Sequence, residues 1–246
     1  MIKTFITKLI RGTFFRLYRT LGRLYLAPML LLEWKRQPYD SINERSIEYG
    51  FALKWLSRIC PAEVFDVGPG QSAWPQIMAK CGFRVTAIDK VTGYWKSGYF
   101  NRHFYVMNDD ITNPKTTKQF DFITCISVLE HIPNHQDAVS GMFKLLKPGG
   151  HLLLTIPYNE KQYIGNVYKL PGAGYGQNFP HICQVYSRKE IDAWLRENQG
   201  EIIEQEYYRI FSGDFWTFGK RIYPPGKIKN REKCHLTCLL IQNKTE

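Results

Sequence analysis

Val64-Phe-Asp-Val67 runs straight into Gly68-Pro-Gly70, and a helix-forming stretch follows at about 72–81. A short buried strand that ends on glycines and turns at once into a helix opens a βα unit. The pattern then repeats. Arg84–Asp89, Phe104–Met107, Phe120–Ile126 and His151–Ile156 read as four further strands. A helix at about 136–147 ends at Lys147-Pro-Gly-Gly150, and capping-box patterns at Ser41-x-x-Glu44 and Ser187-x-x-Glu190 open two more, through about Arg58 and Asn198. Late strands near 201–211 and 235–242 are joined by no clear helix, which suits an antiparallel pair at the sheet's end. Alternating strand and helix predicts an α/β fold. Its sheet is mostly parallel and seven-stranded, with helices on both faces and an antiparallel C-terminal strand.

The chain has 246 residues, 44% of them hydrophobic, enough to bury one domain's core. Six cysteines form no C-x-x-C pair, and several lie in apolar runs. That predicts free thiols in a reducing cytoplasm. The net charge of +11 is uneven. Residues 1–36 carry +7 and residues 218–246 carry +5, leaving the middle of the chain at −1. A nucleic-acid enzyme concentrates basic charge around its cleft. Here the ends are basic, which fits contact with an anionic membrane first and RNA second.

Ile2, Phe5, Ile6, Leu9, Ile10, Phe14, Leu17, Leu21 and Leu24 recur at helical spacing, with Lys3, Lys8, Arg11, Arg16, Arg19 and Arg23 mainly between them. This is a basic amphipathic helix. The apolar run that follows contains Pro28 and is too short to span a bilayer, which takes about 20 residues. It has no small-residue cleavage site either. The segment reads as a helix lying on the inner face of a membrane; the alternative is packing on the domain or a protein partner. The expected division is therefore a membrane-associating segment at 1–36 and a catalytic domain at 37–246.

A carboxylate beside the glycine turn suits a cationic, amine-bearing ligand better than a pyrophosphate. Asp89 lies 19 residues beyond Gly70, where a carboxylate meets ribose hydroxyls in such a site. Five blocks in order complete the pattern: Val64–Gly70, Val85–Asp89, Asn108–Ile111, Phe120–Ile132 and Leu145–Leu154. Over about residues 45–160 the sequence resembles the class I S-adenosylmethionine-dependent methyltransferases, especially the small-molecule, type 11-like group. Pro69 departs from the small residue common at that position. The resemblance implies a Rossmann-like sheet and S-adenosylmethionine as cofactor. Asp66 and Gly68 would hold the methionine end, with Gly70 also in the cofactor site, Asp89 the ribose, and Asp110 and the Ile111 N–H the adenine, while carbonyls near Ile126 would meet the ammonium. For Asp109 and Asp110 the alternative is a cap before a short segment at 112–118.

Glu130-His131 follows the fourth strand, beside the expected methyl donor. Histidine titrates in the range needed to take a proton from a hydroxyl acceptor; the alternative for both residues is structural. His131-x-x-x-His135 has metal-ligand spacing, but Pro133 interrupts it and no third ligand is evident, so no metal is expected. The long connection 157–186 reads as a lid bringing Tyr158, Tyr175 and His181 to the acceptor. Residues 211–231 interleave aromatic and basic side chains and read as a second membrane contact. Cys234, His235 and Cys238 read as core and surface of one strand, the histidine facing away from the cysteines.

These features point to methyl transfer onto a hydroxyl of a small-molecule or lipid-linked acceptor, such as a glycan, glycolipid or quinone precursor. RNA methylation is the second reading, although Ile126-Ser-Val-Leu129 stands where a base-methylating Asn-Pro-Pro-Tyr motif would fall. A non-catalytic cofactor-binding module is the third.

Overall fold

The computed structural model describes residues 2–35, 42–90, 101–229 and 233–245, without the side chains of 2–11 and 33. Contacts divide the chain into two units, 1–42 and 43–246. The first is a single helix, α1 (Ile2–Lys35), which continues through Pro28. Its Phe14, Leu17, Leu21 and Leu24 side chains are exposed. Among the described residues, no helix is long and apolar enough to cross a membrane.

The second unit is built on one eight-stranded sheet. Its helices are α2 (Arg45–Ile59), α3 (Trp74–Lys80), α4 (His135–Lys144) and α5 (Arg188–Asn198). Its strands are β1 (Glu63–Val67), β2 (Arg84–Asp89), β3 (Met107–Asn108), β4 (Phe120–Ile126), β5 (Leu146–Pro157), β6 (Gly200–Phe211), β7 (Arg221–Ile228) and β8 (Leu236–Asn243). They lie in the order β3-β2-β1-β4-β5-β8-β6-β7. The first five are parallel; β8, β6 and β7 each pair antiparallel to their neighbours.

β1, β4 and the later part of β5 are buried along nearly all of their length because both faces are covered. Phe65, Val67, Ile123 and Cys125 pack toward α4 and α5 in one cluster, and Val64 and Phe122 toward α2 and α3 in the other. Ser187 and Glu190 form the expected capping box at the start of α5. Ser41 lies outside the described residues, and Glu44, the residue before α2, makes no side-chain cap.

Three expectations change. The sheet has eight strands, not seven, because Arg221–Ile228 forms an additional antiparallel edge. Pro224, Pro225 and Gly226 hide it in the sequence, since proline is tolerated mainly on edge strands. Lys147-Pro-Gly-Gly150 does not end a helix but lies within β5, whose Leu146 pairs with Phe120. His235 does not face away from the core: it is fully buried, as are Cys234 and Cys238.

Candidate cofactor and acceptor site

The strand order reverses between β1 and β4, where the chain leaves β3 and crosses back. Open α/β sheets bind ligands at such a point, beyond the strands' carboxyl ends. A cavity of about 890 Å³ lies there. It is walled by the Gly68–Ser72 turn, Ile88–Lys90, Asp109–Thr112 and Val128–Asn134, with Arg45 from α2.

The glycine turn has its conformation for a reason. Gly68 has φ +71, and a Cβ there would fall 2.5 Å from Val128 Cγ1. Any side chain would both strain the backbone and push into the wall. Gly70 also has positive φ, and its N–H donates to Asp89 Oδ2 at 2.9 Å, so β2 holds the turn of β1. Asn101 clamps the turn's far side: its amide nitrogen donates to the Gly70 and Ser72 carbonyls at 2.8 and 2.9 Å. Its oxygen accepts from the His103 and Phe104 N–H groups. Nothing local in the sequence marks Asn101.

Asp66, next to last in β1, is fully buried. Oδ1 accepts from Thr124 Oγ1 at 2.6 Å, and Thr124 in turn accepts from the Trp74 indole. Oδ2 has no hydrogen-bond partner among the described residues. Burial pushes this carboxyl up to about 8, Thr124 opposing and Asp89 adding to the rise. A recess of about 40 Å³, lined by Asp66, Arg45, Tyr49, Trp74 and Ile126, adjoins the main cavity. An orphaned carboxylate oxygen in a recess of that size fits an ammonium group. Arg45 was not anticipated. Its guanidinium lies in the wall of both cavities and donates to the Ile126 carbonyl at 3.3 Å. A planar cation there suits a carboxylate beside that ammonium.

Asp89 lines the cavity, its carboxyl raised by burial against the pull of the Gly70 N–H. Asp110 is more occupied than expected. Its carboxylate meets Lys90 Nζ at 2.5 Å and accepts from the Thr112 N–H and hydroxyl. Lys90 and Thr112 outweigh partial burial and hold it below the usual carboxylate range. An adenine amino group would share Asp110 with Lys90. Asp109 accepts from the Asp110 and Lys115 N–H groups and so organises this turn. No helix forms at 112–118.

Beyond β4, Leu129–His131 forms a single 3-10 turn. Nδ1 of His131 lies 2.7 Å from the Ile182 carbonyl. A carbonyl only accepts, so Nδ1 carries the hydrogen and Nε2 the lone pair. Glu130 Oε1 lies 3.9 Å from Nε2. Burial holds His131 down to about 4 and pushes Glu130 up to about 8. Both are therefore neutral near pH 7. His131 lines the cofactor cavity.

The 157–186 connection brings aromatic rings to this point. His181 meets His131 edge-on at 4.9 Å and stacks on Phe179 at 5.1 Å. Tyr168 contacts His181 and Tyr175. His181 thus lies beside His131, while Tyr175 is linked to His181 through Tyr168. Tyr158 lies elsewhere. It is fully buried within the sheet's other core, packs on Tyr207 and donates to Glu160 at 2.6 Å. Continuation of the sheet at Tyr158, which bridges Tyr186, carries its ring into the core. Among the described residues, no cluster of three or more His, Cys, Asp or Glu could hold a metal.

A methyltransferase-domain family model matches residues 40–205. The ubiquinone biosynthesis O-methyltransferase of Alkalilimnicola ehrlichii is 30% identical over 176 residues, 65% of this chain and 68% of that protein. The protein of the same name from Pseudomonas syringae pv. tomato is 29% identical over 67% of this chain and 75% of its own length. In fold, the chain resembles the N-methyltransferase NodS of Bradyrhizobium japonicum bound to S-adenosylhomocysteine. The TM-score is 0.52 at 16% identity, over 85% of this chain and 92% of that one. The 1,6-didemethyltoxoflavin-N1-methyltransferase of Burkholderia thailandensis superposes with a TM-score of 0.55 at 15% identity, over 89% and 88%. With a methyltransferase-domain model matched over more than half of its length, the chain belongs to the class I S-adenosylmethionine-dependent methyltransferases.

Proposed function

We propose that the protein methylates a hydroxyl of a phenolic, quinone-type acceptor, with His131 as the general base. The observation carrying this reading is the His131 tautomer: Nδ1 faces the Ile182 carbonyl, so the lone pair lies on Nε2, and the residue lines the cavity. Two relatives at about 30% identity bear the name ubiquinone biosynthesis O-methyltransferase, which favours a phenol over a sugar hydroxyl. S-adenosylmethionine supplies a methyl group on a sulfonium, and the acceptor oxygen displaces the neutral thioether in line. Asp66 and Arg45 anchor the amino-acid end and Asp89 the ribose, which fixes the donor's direction. His131 takes the hydroxyl proton on Nε2. Burial keeps the imidazole in its neutral, proton-accepting form, and also makes it a weaker base than an ordinary histidine. Tyr168, Tyr175, Phe179 and His181 offer ring faces and edges to a flat acceptor.

A lipid-linked acceptor accounts for the rest of the chain. Residues 1–36 carry a charge of +7 and an amphipathic pattern, which suits a helix lying on an anionic membrane. This reading puts the enzyme at the inner face of that membrane, near an acceptor with an apolar tail.

The test uses the full chain with methyl-labelled S-adenosylmethionine, phenols with and without an isoprenoid tail, and glycolipids. Label should enter the phenols. His131→Ala should lower turnover by about 100-fold or more while S-adenosylhomocysteine affinity stays nearly unchanged. Label only in glycolipid would overturn the acceptor class. Wild-type turnover in His131→Ala would make the histidine structural.

A further inference from the structure

We propose that Gln184 is a positioning residue that fixes the tautomer and aim of His131, which makes the extended end of the 157–186 connection part of the catalytic apparatus. The inference rests on the reading of His131 as base.

Gln184 is buried, at 1% exposure. Its amide can be oriented by chemistry alone. Nε2 lies 2.7 Å from the Ile132 carbonyl and 3.4 Å from the Glu130 carbonyl. Carbonyls only accept, so the NH₂ group faces them. Oε1 then accepts from the Tyr163 hydroxyl at 2.6 Å. The Gln184 backbone N–H also donates to the Glu130 carbonyl, at 2.9 Å. One residue therefore grips the 3-10 turn with three donors, and a tyrosine from the start of the same connection holds its amide in place.

The neighbouring ties explain what this grip achieves. Two residues earlier, the Ile182 carbonyl accepts from His131 Nδ1. Two residues later, the Tyr186 hydroxyl donates to the Leu129 carbonyl at 2.8 Å. Side chains two apart on an extended chain share a face, so Gln184 and Tyr186 both meet the turn. The middle tie sets the spacing between this extended segment and the turn, and that spacing decides whether the Ile182 carbonyl reaches the imidazole. Which ring nitrogen carries the proton follows from that contact. Without it the lone pair is no longer held on Nε2 and the base loses its aim.

The variants follow from the donor inventory. Gln184→Glu keeps the size and the acceptor for Tyr163 but has no hydrogens for the two carbonyls. Gln184→Met keeps length and apolar volume and loses both functions. Tyr163→Phe leaves Gln184 in place and removes only the hydroxyl that orients it. All are made in the full-length protein. The readouts are imidazole ¹⁵N resonances, with His131 assigned from its loss in His131→Gln, together with S-adenosylhomocysteine affinity and separate kcat and KM values.

In the wild type His131 should show hydrogen on Nδ1. In Gln184→Met and Gln184→Glu that signature should be lost and kcat should fall about tenfold or more, with KM and cofactor affinity within about twofold. Tyr163→Phe should fall between these and the wild type; it carries the test if the Gln184 variants do not fold. An unchanged His131 tautomer in Gln184→Met, or in Tyr163→Phe where only that variant folds, overturns the proposal, whatever happens to the rate. A changed tautomer with unchanged kcat supports the positioning role and instead removes His131 as base.

Discussion

Arg45 and Glu48, one turn apart at the start of α2, meet at 2.8 Å on a carboxylate that has no solvent exposure. The same carboxylate accepts from Ser127 Oγ at 2.5 Å and Thr155 Oγ1 at 2.7 Å. One buried acid therefore joins α2 to the ends of β4 and β5. Ser127 needs the anchor, because it sits at φ 48, a region that side chains disfavour. Its strained backbone aims the preceding Ile126 carbonyl at Arg45.

Replacing Glu48 should therefore damage both stability and the cofactor site. Glu48→Ala leaves a partly exposed cation and two hydroxyls without their acceptor, a loss of about 1–3 kcal/mol. Glu48→Gln keeps an acceptor oxygen and should cost less. Arg45→Ala should act in the other direction, weakening S-adenosylmethionine binding more than folding. Denaturant unfolding of the apo protein and calorimetric titration of the cofactor separate the two. Equal losses of stability in Glu48→Ala and Glu48→Gln would show that the hydrogen bonds to Glu48 are of little consequence.

Asp66 predicts a pH dependence of cofactor binding. Its carboxyl, raised to about 8 by burial, is protonated in the free protein near neutral pH. An ammonium beside Oδ2 favours the carboxylate, so binding expels a proton. Affinity should then rise with pH, by up to about tenfold per unit between about pH 6 and 7.5. Titrations in buffers of different ionisation enthalpy should register the released proton. Asp66→Asn should bind weakly and lose most of this slope. A wild-type affinity that is flat over the interval would mean that Asp66 does not change its protonation on binding.

His235 predicts acid sensitivity of the fold. Nδ1 accepts from the Ile210 and Phe211 N–H groups, and Nε2 donates to the Gly213 carbonyl at 2.9 Å. The ring is therefore built in as a neutral imidazole. Burial lowers its pKa below the ordinary 6.5, with the Gly213 carbonyl opposing. The unfolded chain binds a proton at higher pH than the folded one. Its contribution is complete above the unfolded value and declines as pH falls below about 6.5. Burial lowers His131 and His135 as well, so they act in the same direction. Thermal unfolding followed from about pH 7.5 to 5.5 should show a falling midpoint. In a folded His235→Gln variant the fall should be shallower.

The strands that bear the site were legible because burial on both faces writes continuous apolar runs, and the ligand turn writes glycines. Asp66, Gly68, Gly70 and Asp89 sit at strand ends, where position along the chain nearly fixes position in space. Arg45, Asn101 and Gln184 were not legible. Each acts across a distance the chain does not encode locally: Arg45 and Ile126 are 81 residues apart, and Gln184 and Ile132 are 52 apart. Tyr158 failed for a related reason. It follows β5 directly, and continued pairing beside Tyr186, rather than the loop suggested by Pro157, decides where its ring goes.

Residues 1–36 carry the last prediction, which concerns the membrane. They should bind vesicles containing anionic lipid more strongly than neutral ones. Each Lys or Arg near such a surface contributes about 1 kcal/mol, and this segment holds eight against one Glu. Salt should weaken the electrostatic part, because screening shortens its reach to about 8 Å at physiological strength. Insertion of residues such as Phe14, Leu17, Leu21 and Leu24, exposed on α1, should leave a salt-resistant remainder. Deleting 1–36 should abolish sedimentation with vesicles and leave cofactor affinity intact, since among the described residues the lining of the cavity begins at Arg45. Turnover of a tailed acceptor in vesicles should fall far more than turnover of its soluble, tail-free counterpart. Equal pelleting of the full-length and shortened chains would reassign the helix to a protein contact. Equal loss of turnover on both acceptors would mean that the segment supports catalysis itself and not access to the membrane.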